Sequence, residues 1–315
     1  MAGDPKVVLV CDYVEHVLLN GLNDLGYKVI YSPEATNQQV SELIDELTGV
    51  IVNTRTKFDR DLMKAGKKLR FIGRLGVGLD IFDEQAAQDY GIKLINTPGA
   101  NANAVGEHIF GMLLGLVRNI PAANTSVKSG YWLREKQRGR ELRCMTVGII
   151  GCGNTGKAFA SKFANWETIV LSYDKYKEHY VDDLRFVRES SLEEVMELSD
   201  VISLHVPLTK ETLGMVDSAF LTRCRNGVII INSSRGKVID TAALVEGLDS
   251  GKVGGACLDV LANEKLESLS AAEKNHFERL CEMDNVILTP HIAGWTFQSK
   301  RNIAQQMLNS LHEID

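Results

Sequence analysis

The sequence predicts an α/β protein built from two open, doubly wound parallel sheets, one in each of two domains. Two observations lead there. Short apolar runs alternate with helical stretches through the first third of the chain, and a second alternation of the same kind begins at Met145. The length, 315 residues, suits two domains better than one.

Taken in order, the first set of strands is expected at Val7–Val10, Lys28–Tyr31, Val50–Asn53, Phe71–Arg74 and Lys93–Ile95, with helical patterns between them such as Val40–Leu47 and Phe82–Asp89. Asn101–Val117 reads as one helix, because Val105, Ile109, Met112, Leu113 and Leu116 recur at helical spacing. Gly106, Gly111 and Gly115 interrupt it and suggest close helix packing rather than chemistry. The second set is expected at Thr146–Ile150, Thr168–Tyr173, Asp200–His205, Val228–Asn232, Gly255–Leu258 and Val286–Thr289. Phe297–Leu311 is helical again with no strand after it. A closing helix that returns to the first domain explains this, and the expected division is residues 1–98 with 292–315 against residues 99–291.

Composition limits the function classes. Hydrophobic content of 44% and charged content of 24% are those of an ordinary globular protein. A net charge of −6 argues against a general nucleic-acid binder. No apolar run has the length of a bilayer span, and the N-terminal apolar run Lys6–Val10 is too short for a signal peptide, so neither a membrane nor export is expected. The six cysteines are scattered without a CxxC pair. Reduced thiols in a cytoplasmic protein, with no metal site, are the expectation.

The most informative segment is Gly151-Cys-Gly-Asn-Thr-Gly156, directly after the apolar run Met145–Ile150. Phe159 and Phe163 then follow at helical spacing, and Asp174 stands at the end of the next apolar run. Strand, glycine turn, helix, strand and acid together form a dinucleotide fingerprint. Gly151 permits the tight turn, Gly153 lets backbone approach a pyrophosphate, and Gly156 lets helix pack on strand. The helix start at Asn154 and Thr155 offers N–H groups to the phosphates. Asp174 suits both hydroxyls of a ribose and repels a 2′-phosphate, so NAD is favoured over NADP. Lys175 and Lys177 beside it leave some tolerance of NADP open.

Three further segments end strands of the second set. Arg235 follows Val228–Asn232, Asp259 and Glu264 follow Gly255–Leu258, and His291 follows Val286–Thr289. Ligands of open α/β sheets bind outside the carboxyl ends of strands, so these side chains are expected to converge on the working end of the cofactor. The set suits oxidation of a 2-hydroxy acid. A His serves as general base near neutral pH, a carboxylate behind it fixes its tautomer, and an Arg fork binds a carboxylate or carbonyl oxygen. Singly, each residue reads equally well as structural; jointly, beside a dinucleotide fingerprint, they do not.

These segments, with Gly73–Asp80, Asn96-Thr-Pro98 and Leu204-His-Val-Pro-Leu208, give the chain a clear resemblance to the D-isomer-specific 2-hydroxyacid dehydrogenases over nearly its whole length. The resemblance implies a Rossmann NAD-binding domain, a flavodoxin-like substrate domain and a homodimer built around the helix near residues 101–118 and the segment after it. It places catalysis on Arg235, Glu264 and His291, and the acceptor for the nicotinamide amide on Asp259. It adds His205, Val206, Pro207, Thr212, Ser233, Ser234 and Gly294 to the cofactor contacts, together with Arg235 and His291, and gives the substrate carboxylate to the backbone of Val77 and Gly78 and to Arg235.

Within that family the chain looks most like the D-3-phosphoglycerate dehydrogenases, which oxidise D-3-phosphoglycerate to 3-phosphohydroxypyruvate in serine biosynthesis. Arg55, Lys57, Arg74 and Arg134 are basic at matching places, and Arg134 aligns with the position that reaches a phosphate across the dimer. There are departures. Lys265 stands where many members have Pro, Glu264–His291 is longer than usual, and Asn53 replaces an Arg common in phosphoglycerate enzymes. The regulatory module of many such enzymes is not expected here. Segments 291–295 and 97–102 also resemble erythronate-4-phosphate dehydrogenases. Glyoxylate or hydroxypyruvate reduction is a further alternative, and an NAD-sensing, corepressor-like binding protein is the alternative from another class.

Overall fold

The structure, a computed structural model, describes residues 5–53, 56–79 and 81–313. The chain divides into two compact units: residues 1–101 with 295–315, and residues 102–294.

The first unit is a wholly parallel five-stranded sheet. Its strands are β1 (Val7–Val10), β2 (Lys28–Tyr31), β3 (Gly49–Val52), β4 (Phe71–Arg74) and β5 (Lys93–Ile95), in the spatial order β2-β1-β3-β4-β5. That is the flavodoxin-like order, with its switch point between β1 and β3. β1, β3 and β4 are buried along their whole lengths, as parallel strands covered on both faces must be. One face packs Val40, Ile44, Met63, Ala86 and their neighbours. The other packs Leu18 and Leu22 with Ala304, Met307, Leu308 and Leu311, which come from the closing helix Phe297–His312.

Helix starts follow capping chemistry. Thr36 and Gln39 form a reciprocal capping box, so a helix begins at Asn37 and runs to Leu43, followed by a 3-10 turn at Ile44–Glu46. Apolar periodicity alone placed this helix at Val40–Leu47, too late by the length of its capped first turn. Asp59 and Asp83 cap the next two helices, Arg60–Ala65 and Glu84–Asp89.

The second unit is a seven-stranded parallel sheet. Its strands are β6 (Thr146–Ile150), β7 (Ile169–Tyr173), β8 (Val187–Glu189), β9 (Val201–Leu204), β10 (Val228–Asn232), β11 (Val253–Leu258) and β12 (Val286–Leu288). The order β12-β11-β10-β9-β6-β7-β8 is the Rossmann order extended by one strand, with the switch point between β6 and β9. β8 has no counterpart among the strands expected from sequence. It is a short edge strand, Val-Arg-Glu, whose two charged residues are exposed, so it carries no apolar run to detect.

Helix Ala102–Val117 packs on helix Asn154–Ser161. A side chain at Gly106 would meet the Ala158 backbone at 2.8 Å, so the expectation of close packing holds there. It fails at Gly111, where nothing lies within 4 Å. The long stretch between Glu264 and His291 contains a helix, Ala271–Glu282, started by a Ser270–Glu273 capping box.

Candidate active site

The glycine turn lies at the carboxyl ends of β6 and β9, the switch point at which open α/β sheets bind ligands. Gly151 takes φ +92 directly after β6, and a side chain there would lie 2.4 Å from the His205 carbonyl oxygen. Only glycine accepts both conditions. A side chain at Gly156 would lie 2.2 Å from the Gly151 carbonyl oxygen, so helix Asn154–Ser161 rests directly on the turn. Gly153 caps that helix without a side-chain partner and faces open space. A pyrophosphate can therefore reach the first-turn N–H groups of Asn154 and Thr155.

Asp174, at the end of β7, has its side chain nine-tenths buried. Its Oδ2 accepts the Cys152 N–H at 2.9 Å and its Oδ1 the Tyr176 N–H at 3.1 Å, which holds the carboxylate against the glycine turn. The neighbouring cations are engaged. Lys175 pairs with Glu211 at 2.6 Å, and Lys177 lies 3.9 Å from Asp174 while donating to the Cys152 carbonyl.

His205 bridges the turn to β9. Its Nδ1 is 3.2 Å from Thr155 Oγ1 and its Nε2 is 2.9 Å from Ser203 Oγ. Burial pushes its imidazole down to about 3, so it is neutral at physiological pH. Val206 packs against the glycine turn, and Pro207 offers its carbonyl to the Thr212 hydroxyl at 2.6 Å, which fixes the loop after β9.

The loop after β10 is organised by Asn232, which is 1% exposed. Its amide donates to the Arg235 carbonyl at 3.0 Å, and its Oδ1 accepts from the Ser234 N–H and hydroxyl at 3.0 and 2.8 Å. Ser233 Oγ is buried with no hydrogen-bond partner among the described residues. An orphaned hydroxyl at a strand end fits a site completed by a bound molecule. These features accommodate a dinucleotide. Arg235 Nη1 donates to the Ser234 carbonyl at 2.7 Å, which curls the guanidinium over its own turn. A side chain at Gly236 would clash at 2.0 Å with the Leu261 backbone, so the Arg235 turn lies directly against the segment that leads to Glu264.

Glu264 Oε2 is 3.0 Å from His291 Nδ1, and both side chains are about half exposed. The hydrogen bond to Glu264 holds the His291 imidazole above its ordinary value, and the Asp259 charge adds to this while burial and Arg235 oppose it. In return, the bond to His291 holds Glu264 below the usual carboxylate value, helped by Arg235. Arg235, Glu264 and His291 therefore share one electrostatic neighbourhood.

His291 has φ +56, a left-handed backbone that is costly for any residue but glycine. Asp259 over-determines it. The Asp259 carbonyl accepts the His291 N–H at 2.8 Å; its Oδ1 accepts from Thr289 Oγ1 at 2.6 Å and the Ile292 N–H at 2.9 Å, and its Oδ2 from the Ala293 N–H at 2.8 Å. The Asp259 side chain is thus turned onto the His291 loop, and an acceptor role toward a nicotinamide amide would use only its remaining lone pairs. Gly294 ends this loop and the second unit.

The residues expected to bind substrate fall in both units. Val77 and Gly78 lie in the loop after β4, whose carbonyls are held by Asn96 Nδ2 to Val77 O at 2.6 Å and by the Thr97 N–H to Gly76 O at 3.0 Å. Arg74, at the end of β4, is 8% exposed, and Lys57 is exposed. Arg55 lies outside the described residues. Also in the first unit, a pocket at the β1/β3 switch point is lined by Asp12, Tyr13, Asn53, Trp295 and Lys300, with the Lys300 ammonium 4.1 Å from the Trp295 ring centroid. Arg134 belongs to the second unit, on an exposed segment after helix Ile120–Lys128.

Residues 110–293 match the family model of the D-isomer specific 2-hydroxyacid dehydrogenase, NAD binding domain. The chain belongs to that family. A D-3-phosphoglycerate dehydrogenase of Archaeoglobus fulgidus is 34% identical over 94% of this chain and 55% of its own length. The chain thus spans about half the length of that relative. A hydroxypyruvate reductase of Thermotoga maritima is 35% identical over 90% of this chain and 89% of its own. Among solved structures, the D-lactate dehydrogenase of Aquifex aeolicus, complexed with NAD and lactic acid, superposes with a TM-score of 0.84 at 30% identity, covering 98% of this chain and 95% of that one. The matched segment makes the second unit the family's NAD-binding domain.

Sequence reasoning missed Asn232 and Thr289 as site organisers, and His108, whose Nε2 is 3.0 Å from Thr289 Oγ1. His108 had a signal: it sits between Val105 and Met112 on the apolar stripe of its helix, where an imidazole needs a partner.

Proposed function

We propose that this chain is an NAD-dependent D-2-hydroxyacid dehydrogenase, acting on D-3-phosphoglycerate in serine biosynthesis. The observation that carries the reading is the Glu264–His291 pair in the charge field of Arg235, beside a dinucleotide turn. When bound, NAD would supply the hydride acceptor, and the glycine turn, Asp174 and the Ser233 hydroxyl would hold it. His291 Nδ1 is occupied by Glu264, so Nε2 faces the substrate and takes its hydroxyl proton. Glu264 favours the imidazolium that forms. Arg235 binds the substrate carboxylate, and Arg134 supplies charge for a phosphate.

The name of the Archaeoglobus relative supports phosphoglycerate as substrate. The Thermotoga relative, matched over nearly its whole length, favours hydroxypyruvate reduction as the second reading. A homodimer is supported by the exposed apolar side chains Ile120, Val127, Tyr131 and Trp132, the last 82% exposed. A cytoplasmic setting is supported by cysteines that are all free.

The test is a steady-state panel of 3-phosphohydroxypyruvate, hydroxypyruvate, glyoxylate and 4-phosphoerythronate with the matching form of the nicotinamide cofactor. A highest kcat/KM on the phosphorylated three-carbon acid is expected. A preference for hydroxypyruvate would replace the first reading with the second, and no turnover on any acid would remove the dehydrogenase.

A further inference from the structure

We infer that His108 is a positioning residue for the His291 loop, acting through Thr289 and Asp259. The inference deepens the dehydrogenase reading and rests on it for its effect on turnover. All of the groups involved lie in the second unit.

The direction of each hydrogen bond can be assigned. A threonine hydroxyl has one proton to donate, and an ionised carboxylate only accepts. Thr289 Oγ1 lies 2.6 Å from Asp259 Oδ1, so its proton goes there. The Met112 sulfur, 3.8 Å away, is a much weaker acceptor. Thr289 Oγ1 can then only accept from His108 Nε2 at 3.0 Å, which requires a proton on that nitrogen. The same Nε2 is 3.6 Å from Asp259 Oδ1, so the donor also faces the carboxylate it supports.

Asp259 Oδ1 accepts from Thr289 and from the Ile292 N–H, and so ties both flanks of the left-handed His291 to one oxygen. A strained residue persists only while its surroundings over-determine it. His108 supplies that constraint from helix Ala102–Val117, an element remote in sequence from the loop. The side chain is mostly enclosed, with 22% of its area exposed. Without it, Thr289 is free to turn its hydroxyl toward another partner, and the Asp259 oxygen loses its orientation.

The test compares His108→Ala with His108→Gln, whose amide nitrogen replaces the Nε2 donor. Two readouts are used: steady-state kinetics with NADH and 3-phosphohydroxypyruvate or hydroxypyruvate, and hydrogen exchange of the Ile292 and Ala293 amides. The alanine variant is expected to lose about 10²-fold in kcat, the size of effect a misplacement near 1 Å produces. Its two amides should exchange faster. The glutamine variant should recover most of kcat and the slow exchange. Unchanged kcat and exchange in the alanine variant, or a glutamine variant as impaired as alanine, would overturn the role. If the wild-type protein turns over no acid, the dehydrogenase reading fails by itself, and the exchange rates alone support or overturn the positioning by His108.

Discussion

His291 and Glu264 form a hydrogen-bonded pair, Nδ1 to Oε2 at 3.0 Å, in which each partner holds the other in its charged form. The pair therefore stores its proton on the imidazole, and the pH at which the proton leaves depends on the carboxylate.

Glu264→Gln removes the main cause that raises His291, so the His291 value falls. With His291 as the proposed base, oxidation needs it neutral, and the rate rises with pH through that value. Reduction needs the imidazolium, and its rate falls with pH through the same value. Both limbs should move to lower pH in the variant, and kcat should drop by about 10²-fold. A pH–rate profile measured in both directions checks this; limbs that stay in place or move upward contradict the assignment.

His291→Gln keeps a polar side chain of similar reach but cannot accept and return a proton. Turnover should fall by about 10²–10⁴-fold. NADH affinity, read by fluorescence, should be retained, because the glycine turn and Asp174 are untouched. Full turnover in this variant would leave the proton transfer without an agent.

Arg134→Ala tests the phosphate assignment. The side chain is exposed, so the substitution should leave thermal stability unaltered. KM for the phosphorylated acid should rise by about tenfold, the loss of one charge-assisted contact, while KM for hydroxypyruvate stays the same. Equal changes for both acids would mean that Arg134 does not discriminate between them.

Gly156→Ala probes the seating of the helix on the glycine turn. The added methyl would meet the Gly151 carbonyl at 2.2 Å, and backbone on both sides resists the shift. Destabilisation of about 1–3 kcal/mol is expected in urea unfolding, together with weaker NADH binding. A variant as stable as wild type would show that the turn yields more readily than its packing implies.

The parts of this molecule legible in its sequence are those where one residue type has one physical use. Gly151 and Gly156 stand where backbone conformation and close approach exclude a side chain, and Asp174 ends an apolar strand. Val228–Asn232 and Val201–Leu204 are buried throughout and announce themselves as apolar runs. What escaped depends on three-dimensional partners. β8 is an edge strand with little to bury, the helix at Asn37 is set by a side-chain cap rather than by periodicity, and Gly111 faces open space within a helix where Gly106 is tightly packed. The His108–Thr289–Asp259 chain joins residues far apart in sequence, and only the fold reveals which hydroxyl receives which proton.

The closing helix has a consequence for biosynthesis. Met307 lies where a side chain at Gly73 would stand, Leu308 fills the space beside Gly21, and Leu311 is fully enclosed. During translation, residues 102–294 are made before these plugs. The nucleotide-binding half can reach its final shape while the N-terminal half, though made first, still waits with one side of its sheet covered only in part, by Leu18 and Leu22. A released chain truncated after residue 294 should therefore show a protease-resistant later half and a more protease-sensitive earlier one.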